Sequence, residues 1–277
     1  MLNTATKPIT LLRADTLSDY KLRGTDGNIG TIKEFYFDDH HWTIRYIVAN
    51  TGNWLTGRQV LISPYSLGAV NNEEKFIAVN LTKKQIEESP TFGSGQTISQ
   101  QYEDAHNTYY GLPTYWNGPN MWGAEPNIAR DPNMRRESET NLWGTDPNVT
   151  RDPNMRREST PSERMGDHRL HNTSNVSGYD IEASDGEIGD VKDFIIEDQT
   201  WAIRYLLVDT GKWLPGKKVL IAPQWIERVS WEESKVFVNL SRDAIEQSPE
   251  FTEESLLSRD YEAGLYKHYN RQGYWIE

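Results

Sequence analysis

The amino-acid sequence predicts a mainly β protein: two small β-barrels, each followed by short α-helices, joined by a long linker rich in proline, asparagine and arginine. Three observations support this prediction. Residues 13–116 recur as residues 172–275 at a constant offset of 159, with about two positions in five identical. Within each copy, apolar residues alternate with the period of β-strands. Residues 117–171 differ from both copies in composition.

The duplication divides the chain into three expected parts. Residues 1–116 form the first domain with its helical tail, residues 117–171 the linker, and residues 172–277 the second domain with its tail. A unit of about 100 residues has the size of an ordinary domain, whereas solenoid repeats are about 20–50 residues long. A residue that both copies keep is better explained by the shared fold than by a site unique to one copy.

Strands account for most of each copy. The run 30–37 predicts the first, and the polar residues 38–41 predict the hairpin turn that follows it. The next strand is expected to bury four alternating side chains on one face: Trp42, Ile44, Tyr46 and Val48. A short strand at 60–62 ends before Pro64, and a last strand covers 77–81. Five or six short strands are about what a small barrel needs.

Helices are predicted only after the strands of each copy. Thr82 and Ser241 stand where an N-cap is wanted before a short helical turn. A second helix is predicted at 99–110 and again at 258–269. A Tyr-Trp pair follows each of these helices, and we expect this aromatic tail to fold back onto its barrel.

The linker contains a second, shorter duplication. Residues 120–138 recur as 141–159, and each half carries one tryptophan, Trp122 or Trp143. Its composition is that of a flexible spacer. However, a spacer has no need of a repeated tryptophan, so docking of the two halves on the barrels is the other interpretation.

Composition excludes several classes of function. The net charge of −12 opposes binding to nucleic acid or to an anionic lipid surface. The chain has no cysteine, which rules out disulfides and thiolate sites and suits a reducing compartment. The sequence shows neither a signal peptide nor an apolar run long enough to span a membrane. We therefore expect a soluble, cytoplasmic protein without membrane insertion.

Three segments of each copy resemble the PRC-barrel family. They are residues 24–35, the Trp-x-Ile-Arg-Tyr strand at 42–46, and the Val-Leu-Ile-x-Pro strand at 60–64. This family includes the cytoplasmic barrel of the photosynthetic reaction-centre H subunit and the C-terminal barrel of a ribosome-maturation factor. The membrane helix of the former and the preceding barrel of the latter are absent from this sequence. The resemblance implies a bacterial-type barrel that makes protein–protein contacts, and it transfers no catalytic residue.

Candidate interaction residues come from two places in each copy. Arg45 and Arg204 are expected on the strand face opposite the aromatic core, either paired with an acid such as Glu34 or Asp193, or available to a partner. Trp54 and Trp213 lie in glycine-flanked loops, where a tryptophan either anchors an interface or closes one end of the barrel. Trp122 and Trp143 of the linker complete the set of candidates.

Catalytic, metal and cofactor sites are not predicted. His40 and His41 lie beside two aspartates, but the second copy has Gln199 and Thr200 at these positions, which favours a polar turn over a metal site. Asp26 before a glycine is typical of a hairpin turn rather than of a ligand. An enzyme would need a concave pocket with convergent polar groups unique to one copy.

The sequence therefore favours a non-catalytic protein-binding or scaffold protein that also self-associates, since two similar domains readily form isologous contacts. The alternative is an accessory subunit of a membrane-bound photosynthetic or electron-transfer complex, and an enzyme is the third hypothesis.

Overall fold

The computed structural model of the chain describes residues 9–55, 58–93, 98–115, 170–211, 216–254 and 258–275. The fold is mainly β, as predicted, with two seven-stranded sheets and a few short helices. None of the helices in these ranges is long and apolar enough to cross a membrane.

The strands follow the same order in both copies. In the first copy they are β1 (Leu11–Arg13), β2 (Lys21–Gly24), β3 (Gly27–Asp38), β4 (Thr43–Asn50), β5 (Gln59–Ile62), β6 (Leu67–Asn71) and β7 (Phe76–Val79). In the second they are β8 (Leu170–Asn172), β9 (Asp180–Ala183), β10 (Gly186–Glu197), β11 (Ile203–Asp209), β12 (Lys218–Ile221), β13 (Ile226–Ser230) and β14 (Lys235–Val238). The sheet orders are β5-β4-β3-β2-β7-β6 and β12-β11-β10-β9-β14-β13.

The helices lie between and after the strands. They are α1 (Ala14–Ser18), α2 (Lys83–Glu87), α3 (Gln100–Tyr110), α4 (Thr173–Val176), α5 (Arg242–Glu246) and α6 (Arg259–His268), with 3-10 turns at Pro64–Ser66 and Pro223–Trp225. Thr82 caps α2 in a capping box, and Ser241 caps α5, as predicted. The predicted tail helices are α3 and α6.

A tight hairpin joins β2 to β3, and its residues have structural partners. The Asp26 carboxylate accepts the backbone N–H of Lys83 at 2.9 Å, at the start of α2. Asp185 accepts the N–H of Arg242 at 2.8 Å in the second copy. Gly30, at a φ of 150°, lies so close to the carbonyl of Asn50 that a Cβ would collide with it. These contacts support the interpretation of the Asp-Gly segment as a turn.

The two copies exchange their first strands. β1 pairs antiparallel with β10 of the second copy, with Leu11 opposite Glu197. β8 pairs antiparallel with β3 of the first copy, with Leu170 opposite Asp38. The two pairings are related by the 159-residue offset, so the exchange is reciprocal. Each sheet therefore contains six strands from its own copy and one from the other.

Reciprocal backbone hydrogen bonds lie beside the exchanged strands. The N–H of Ile44 donates to the carbonyl of Trp201 at 2.9 Å, and that of Ile203 donates to the carbonyl of Trp42 at 2.7 Å. Both tryptophans have a left-handed φ, 50° and 59°, which is uncommon for a bulky residue. The contact is thus isologous in form, although both halves belong to one chain.

One hydrophobic core spans both copies. The rings of Phe37 and Phe194 lie 5.7 Å apart inside it. A smaller cluster, the tail cluster, contains residues of β3, β4, β5, the first tail and the exchanged strand β8: Tyr36, Tyr46, Val48, Leu61, Phe92, Ile98, Tyr115 and Leu170. Because apolar surface of each copy is buried against the other, the stability of one depends on the other.

One prediction about β4 is wrong, namely a single buried face for Trp42, Ile44, Tyr46 and Val48. Tyr46 faces Tyr36 and Ile44 faces Phe37, so Arg45 is the extra residue of a β-bulge. The bulge reverses the alternation. Trp42 and Ile44 consequently join the shared core, while Tyr46 and Val48 join the tail cluster, and β4 is buried on both faces.

A candidate binding cleft at the joint between the copies

A cleft of about 510 Å³ opens where the two copies meet, and we call it the joint cleft. The first copy contributes the turn at 39–42, and the second copy contributes the greater part of the wall. Its polar and aromatic residues from the second copy are Arg204, Gln224, Glu227, Arg228, Trp231, Tyr266 and Tyr274. The enzyme hypothesis required a concave pocket without a counterpart at the equivalent position of the other copy, and the joint cleft has this property. The chemistry of the residues that line it therefore decides between binding and catalysis.

Local structure fixes each wall of the joint cleft. Arg204 is the extra residue of a bulge between β10 and β11, because Ile195 faces Tyr205 while Ile196 faces Ile203. Gln224 lies in the 3-10 turn that follows β12, which Pro223 starts. Trp231 follows β13, and Tyr274 belongs to the tail that folds back after α6. The predicted return of the aromatic tail is therefore confirmed for Tyr274.

Arg204 is held by an ion pair and an aromatic ring. Its Nε donates to Oε2 of Glu197 at 2.5 Å, and its guanidinium lies 4.1 Å from the centre of the Tyr274 ring. The Tyr274 hydroxyl donates to Glu262 at 2.9 Å, and burial raises the pKa of this tyrosine. The arginine side chain is 21% exposed, against 1% for Glu197, so only the arginine reaches the cleft.

The first copy contains the same arrangement in a closed form. Arg45 Nε donates to Oδ2 of Asp38 at 2.5 Å, and the Arg45 guanidinium carbon lies 4.1 Å from the centre of the Tyr115 ring. The arginine side chain is only 3% exposed. The cavity there measures about 10 Å³, which is room for a single water molecule. Tyr65, at the position equivalent to Gln224, lines this small cavity.

Several substitutions distinguish the open form from the closed one. Three of them change an aromatic ring: Tyr65 is replaced by Gln224, Asn107 by Tyr266, and Asn72 by Trp231. In the second copy the aromatic ring thus lies inside, with Tyr266 buried, and the amide lies at the rim. Gln224 Nε2 donates to the Tyr266 hydroxyl at 2.8 Å, which leaves the amide oxygen of Gln224 to accept a further hydrogen bond.

The histidines of the 39–42 turn lie at the first-copy wall. His41 Nδ1 lies 3.0 Å from Oδ1 of Asp38, which also accepts the backbone N–H of His41. These hydrogen bonds, with the Arg45 pair, lower the pKa of Asp38 although burial opposes the shift. His171 stacks on Trp231 at 3.4 Å and lies 3.2 Å from Asp39. Within the described ranges, no group of three or more histidine, aspartate or glutamate side chains is placed to hold a metal ion.

The arginine prediction is right in kind and wrong in detail. Arg45 and Arg204 do pair with acids, but the partners are Asp38 and Glu197, seven residues earlier in the chain, rather than Glu34 and Asp193. Neither arginine lies on an exposed strand face. Asp193 instead accepts a hydrogen bond from Arg13, across the joint.

The tryptophan candidates fall in different places. Trp54 Nε1 donates to the carbonyl of Ile29 at 2.7 Å, and its half-buried ring packs against the shared core with Lys83 5.4 Å above it. This arrangement favours the closure of one barrel end over an interface anchor. Trp213, Trp122 and Trp143 lie outside the described residues, so their roles stay predictions.

A buried carboxylate distinguishes the two tails. Glu103 accepts a hydrogen bond from the Tyr115 hydroxyl at 2.8 Å, and burial raises its pKa to about 7. Its counterpart Glu262 has a cation as well, because Arg259 lies 2.7 Å from Oε2. The residue equivalent to Arg259 in the first copy is Gln100, which carries no charge.

The sequence did not single out Gln224 or Trp231, and it identified Tyr274 only as part of the aromatic tail. The signal was present in the alignment of the two copies, since Gln224 and Trp231 occupy positions where the copies differ. The difference between the copies at His40 and His41 favoured a polar turn over a site, yet both histidines line the joint cleft. The exchanged strands bring the turn of one copy to the other, and no pattern within a single copy shows this.

Three polar side chains that line the joint cleft each have a hydrogen-bond partner within the chain. Arg204 is bound to Glu197, Gln224 to Tyr266, and His41 to Asp38. A general acid or base must exchange protons with substrate, and a group already held by such a partner is less available for that role. The arrangement suits recognition, with aromatic rings for contact area and a few fixed polar groups for orientation.

Comparison with known proteins agrees with the resemblance. A family model of the PRC-barrel domain matches residues 10–86 and 170–245. A Deinococcus radiodurans protein described only as an uncharacterized protein is 29% identical over 96 residues, which is 35% of this chain. The match spans 34% of that relative, so the chain covers about a third of its length.

Proposed function

The chain belongs to the PRC-barrel family, and from that premise we propose that it is a non-catalytic protein-binding scaffold whose two domains act as one unit. The observation that carries the proposal is the joint cleft, which both copies line. The equivalent site of the first copy is closed to about 10 Å³, so the molecule has this cleft at one of its two related positions. The reciprocal strand exchange supports it, because a shared core fixes the two walls of the cleft relative to each other.

The lining favours a protein partner. Aromatic residues and arginine are enriched in the energetically important centres of protein interfaces. Trp231, Tyr274 and Arg228 provide these residue types around a concave surface. The acidic balance of the whole chain adds a long-range preference for a partner with a basic surface.

Site-specific photocrosslinking in the native cell tests the proposal. A benzophenone amino acid replaces Glu227, an exposed residue of the cleft wall, and the matched control carries it at Gln247, which is exposed and not part of the lining. We expect one protein to be captured from position 227 and not from position 247. Equal capture from both positions, or none, would contradict the proposal.

Self-association and a cytoplasmic location are further parts of this proposal. An isologous contact between copies already exists within the chain, and a second chain could use an exposed face of the same unit. Light scattering over a concentration series tests this part, and a strict monomer at the highest concentration would remove it. Cell fractionation tests the location, which rests on the cysteine-free composition.

A further inference from the structure

We propose that the joint cleft binds an aromatic side chain that carries a hydrogen-bond donor, namely a tyrosine presented by a peptide segment of the partner. This inference rests on the proposed binding function and names the chemistry that the cleft recognises.

The closed cavity of the first copy shows which group completes the site. There the rim position is occupied by Tyr65, whose half-buried ring packs against the tail cluster near Arg45. The second copy keeps three of the neighbouring residues, with Arg204 for Arg45, Pro223 for Pro64 and Tyr274 for Tyr115. It differs inside, where Tyr266 replaces Asn107, and at the rim, where Gln224 replaces the ring of Tyr65. A ring supplied from outside would therefore meet the arginine, the proline and the tail tyrosine that the first copy places around Tyr65.

The polar groups at the rim favour a donor on that ring. One N–H of Gln224 Nε2 is used by Tyr266, and the amide keeps its oxygen as an acceptor and a second N–H as a donor. The oxygen needs a partner that carries an O–H or N–H, which a phenol supplies. A phenol hydroxyl satisfies this acceptor, whereas a phenylalanine ring would leave it without a partner in a partly desolvated position.

The size and the walls of the joint cleft favour a peptide over a free phenol. A volume of about 510 Å³ lies in the range of pockets that enclose drug-sized ligands, which exceeds one aromatic side chain. The space beyond the rim reaches Trp231, held flat against His171, and the guanidinium of Arg228, which lies 3.4 Å from the Phe237 ring. These groups offer a stacking surface and a cation to the residues that flank the tyrosine.

Three pentapeptides test the inference on the full chain: acetyl-Gly-Gly-Tyr-Gly-Gly-amide and its phenylalanine and alanine counterparts. Backbone amide resonances are followed by NMR during titration. We expect the tyrosine peptide to bind in the millimolar range, to shift the resonances of residues 224–231 and 40–42, and to bind about five-fold more tightly than the phenylalanine peptide. Binding no stronger than that of the alanine peptide, or shifts confined to other surfaces, would overturn it.

Variants at the rim separate recognition from general structure. Q224Y restores the ring of the first copy and is expected to abolish binding. Q224L removes the acceptor without filling the cleft, so the preference for tyrosine over phenylalanine should disappear. Y65Q changes the equivalent position of the first copy and should leave the shifts at 224–231 intact. Unchanged discrimination in Q224L would sink the inference even if Q224Y failed to fold.

The two proposals fail in different ways. If position 227 captures a partner but no tyrosine peptide binds, the scaffold function stands and the tyrosine inference fails. If the peptide binds as expected but position 227 captures nothing in the cell, the inference about chemistry stands and the scaffold function fails.

Discussion

Arg13 and Asp193 join the two copies across 180 positions of sequence, with Arg13 Nε donating to Oδ2 of Asp193 at 2.7 Å. The carboxylate is 2% exposed and the guanidinium 22%. Arg13 also reaches Glu253, so one side chain from the exchanged strand β1 holds two acids of the second copy. The ion pair therefore helps to hold the exchanged strand β1 against the second copy.

Replacement of Arg13 by alanine should weaken the joint. Removal of one partner of a buried pair leaves an uncompensated carboxylate, and we expect R13A to lower the free energy of unfolding by about 3 kcal/mol at pH 7. Urea unfolding measures the change. In the double variant R13A/D193N, which has no buried charge to compensate, we expect part of the loss to be recovered.

The control for this cycle is Arg23, which pairs with Glu74 on the surface of the first copy at 3.1 Å. Both side chains are exposed, so R23A should cost about 1 kcal/mol or less. An R13A variant no less stable than R23A would contradict the view that Arg13 holds the joint.

The open and closed arginine sites should differ in stability. R45A leaves Asp38 buried, and the cavity beside Arg45 has room for about one water, so we expect a loss of about 3–5 kcal/mol. R204A leaves Glu197 beside the open joint cleft, where water can replace the guanidinium, and we expect about 2 kcal/mol. Thermal unfolding of both variants gives the comparison. Equal losses would mean that the cleft does not admit water to Glu197.

The sequence predicted local structure well because the local signals are strong. Alternation, turn residues and caps identified β3, β4, β5 and β7, the caps of α2 and α5, and the tail helices. The strands β1, β2, β6 and their counterparts were missed, since three to five residues with mixed polarity carry little periodic signal. The bulge at Arg45 was missed as well, because an extra residue in one strand becomes visible only beside its partner.

The candidate site was harder to predict, since it depends on contacts between the copies. Arg45 and Arg204 were identified from their strand, and their acid partners lie in the same hairpin. The joint cleft, in contrast, needs the 39–42 turn of one copy beside Gln224 and Trp231 of the other. The exchange of β1 and β8, together with the reciprocal hydrogen bonds at Trp42 and Trp201, brings them together.

The stability of the first copy should depend on pH through Glu103. This carboxyl is 2% exposed, and its pKa of about 7 lies above the ordinary value of 4.5 because burial disfavours its charged form. The folded state therefore binds more protons than the unfolded state between these values. The free energy of unfolding should fall by about 3 kcal/mol as pH rises from 4.5 to 7, and this contribution should level off above 7.

E103Q tests this dependence, because an amide keeps a neutral acceptor for the Tyr115 hydroxyl and does not titrate. Urea midpoints between pH 5 and pH 8 should show a flatter profile than those of the unchanged protein. Burial also raises the pKa of Asp193, but this residue is present in E103Q and in the unchanged protein, so its contribution to the pH dependence cancels when the two profiles are compared. E262Q is the matched control in the second copy and should keep the slope due to Glu103. Identical profiles for E103Q and the unchanged protein would contradict the assignment.

The linker, which lies outside the described residues, still supports a prediction from its sequence. If Trp122 and Trp143 dock on the two barrels, each indole buries surface that a bare spacer would expose, and the segment resists protease. The double variant W122A/W143A should then be cut several times faster within residues 117–169, the part of the predicted linker 117–171 that precedes β8, while both copies survive as fragments held by the exchanged strands. M134A/M155A, which changes the other repeated apolar residue, serves as a control for simple loss of hydrophobicity. Equally fast cleavage of the unchanged protein would show that the linker is a spacer.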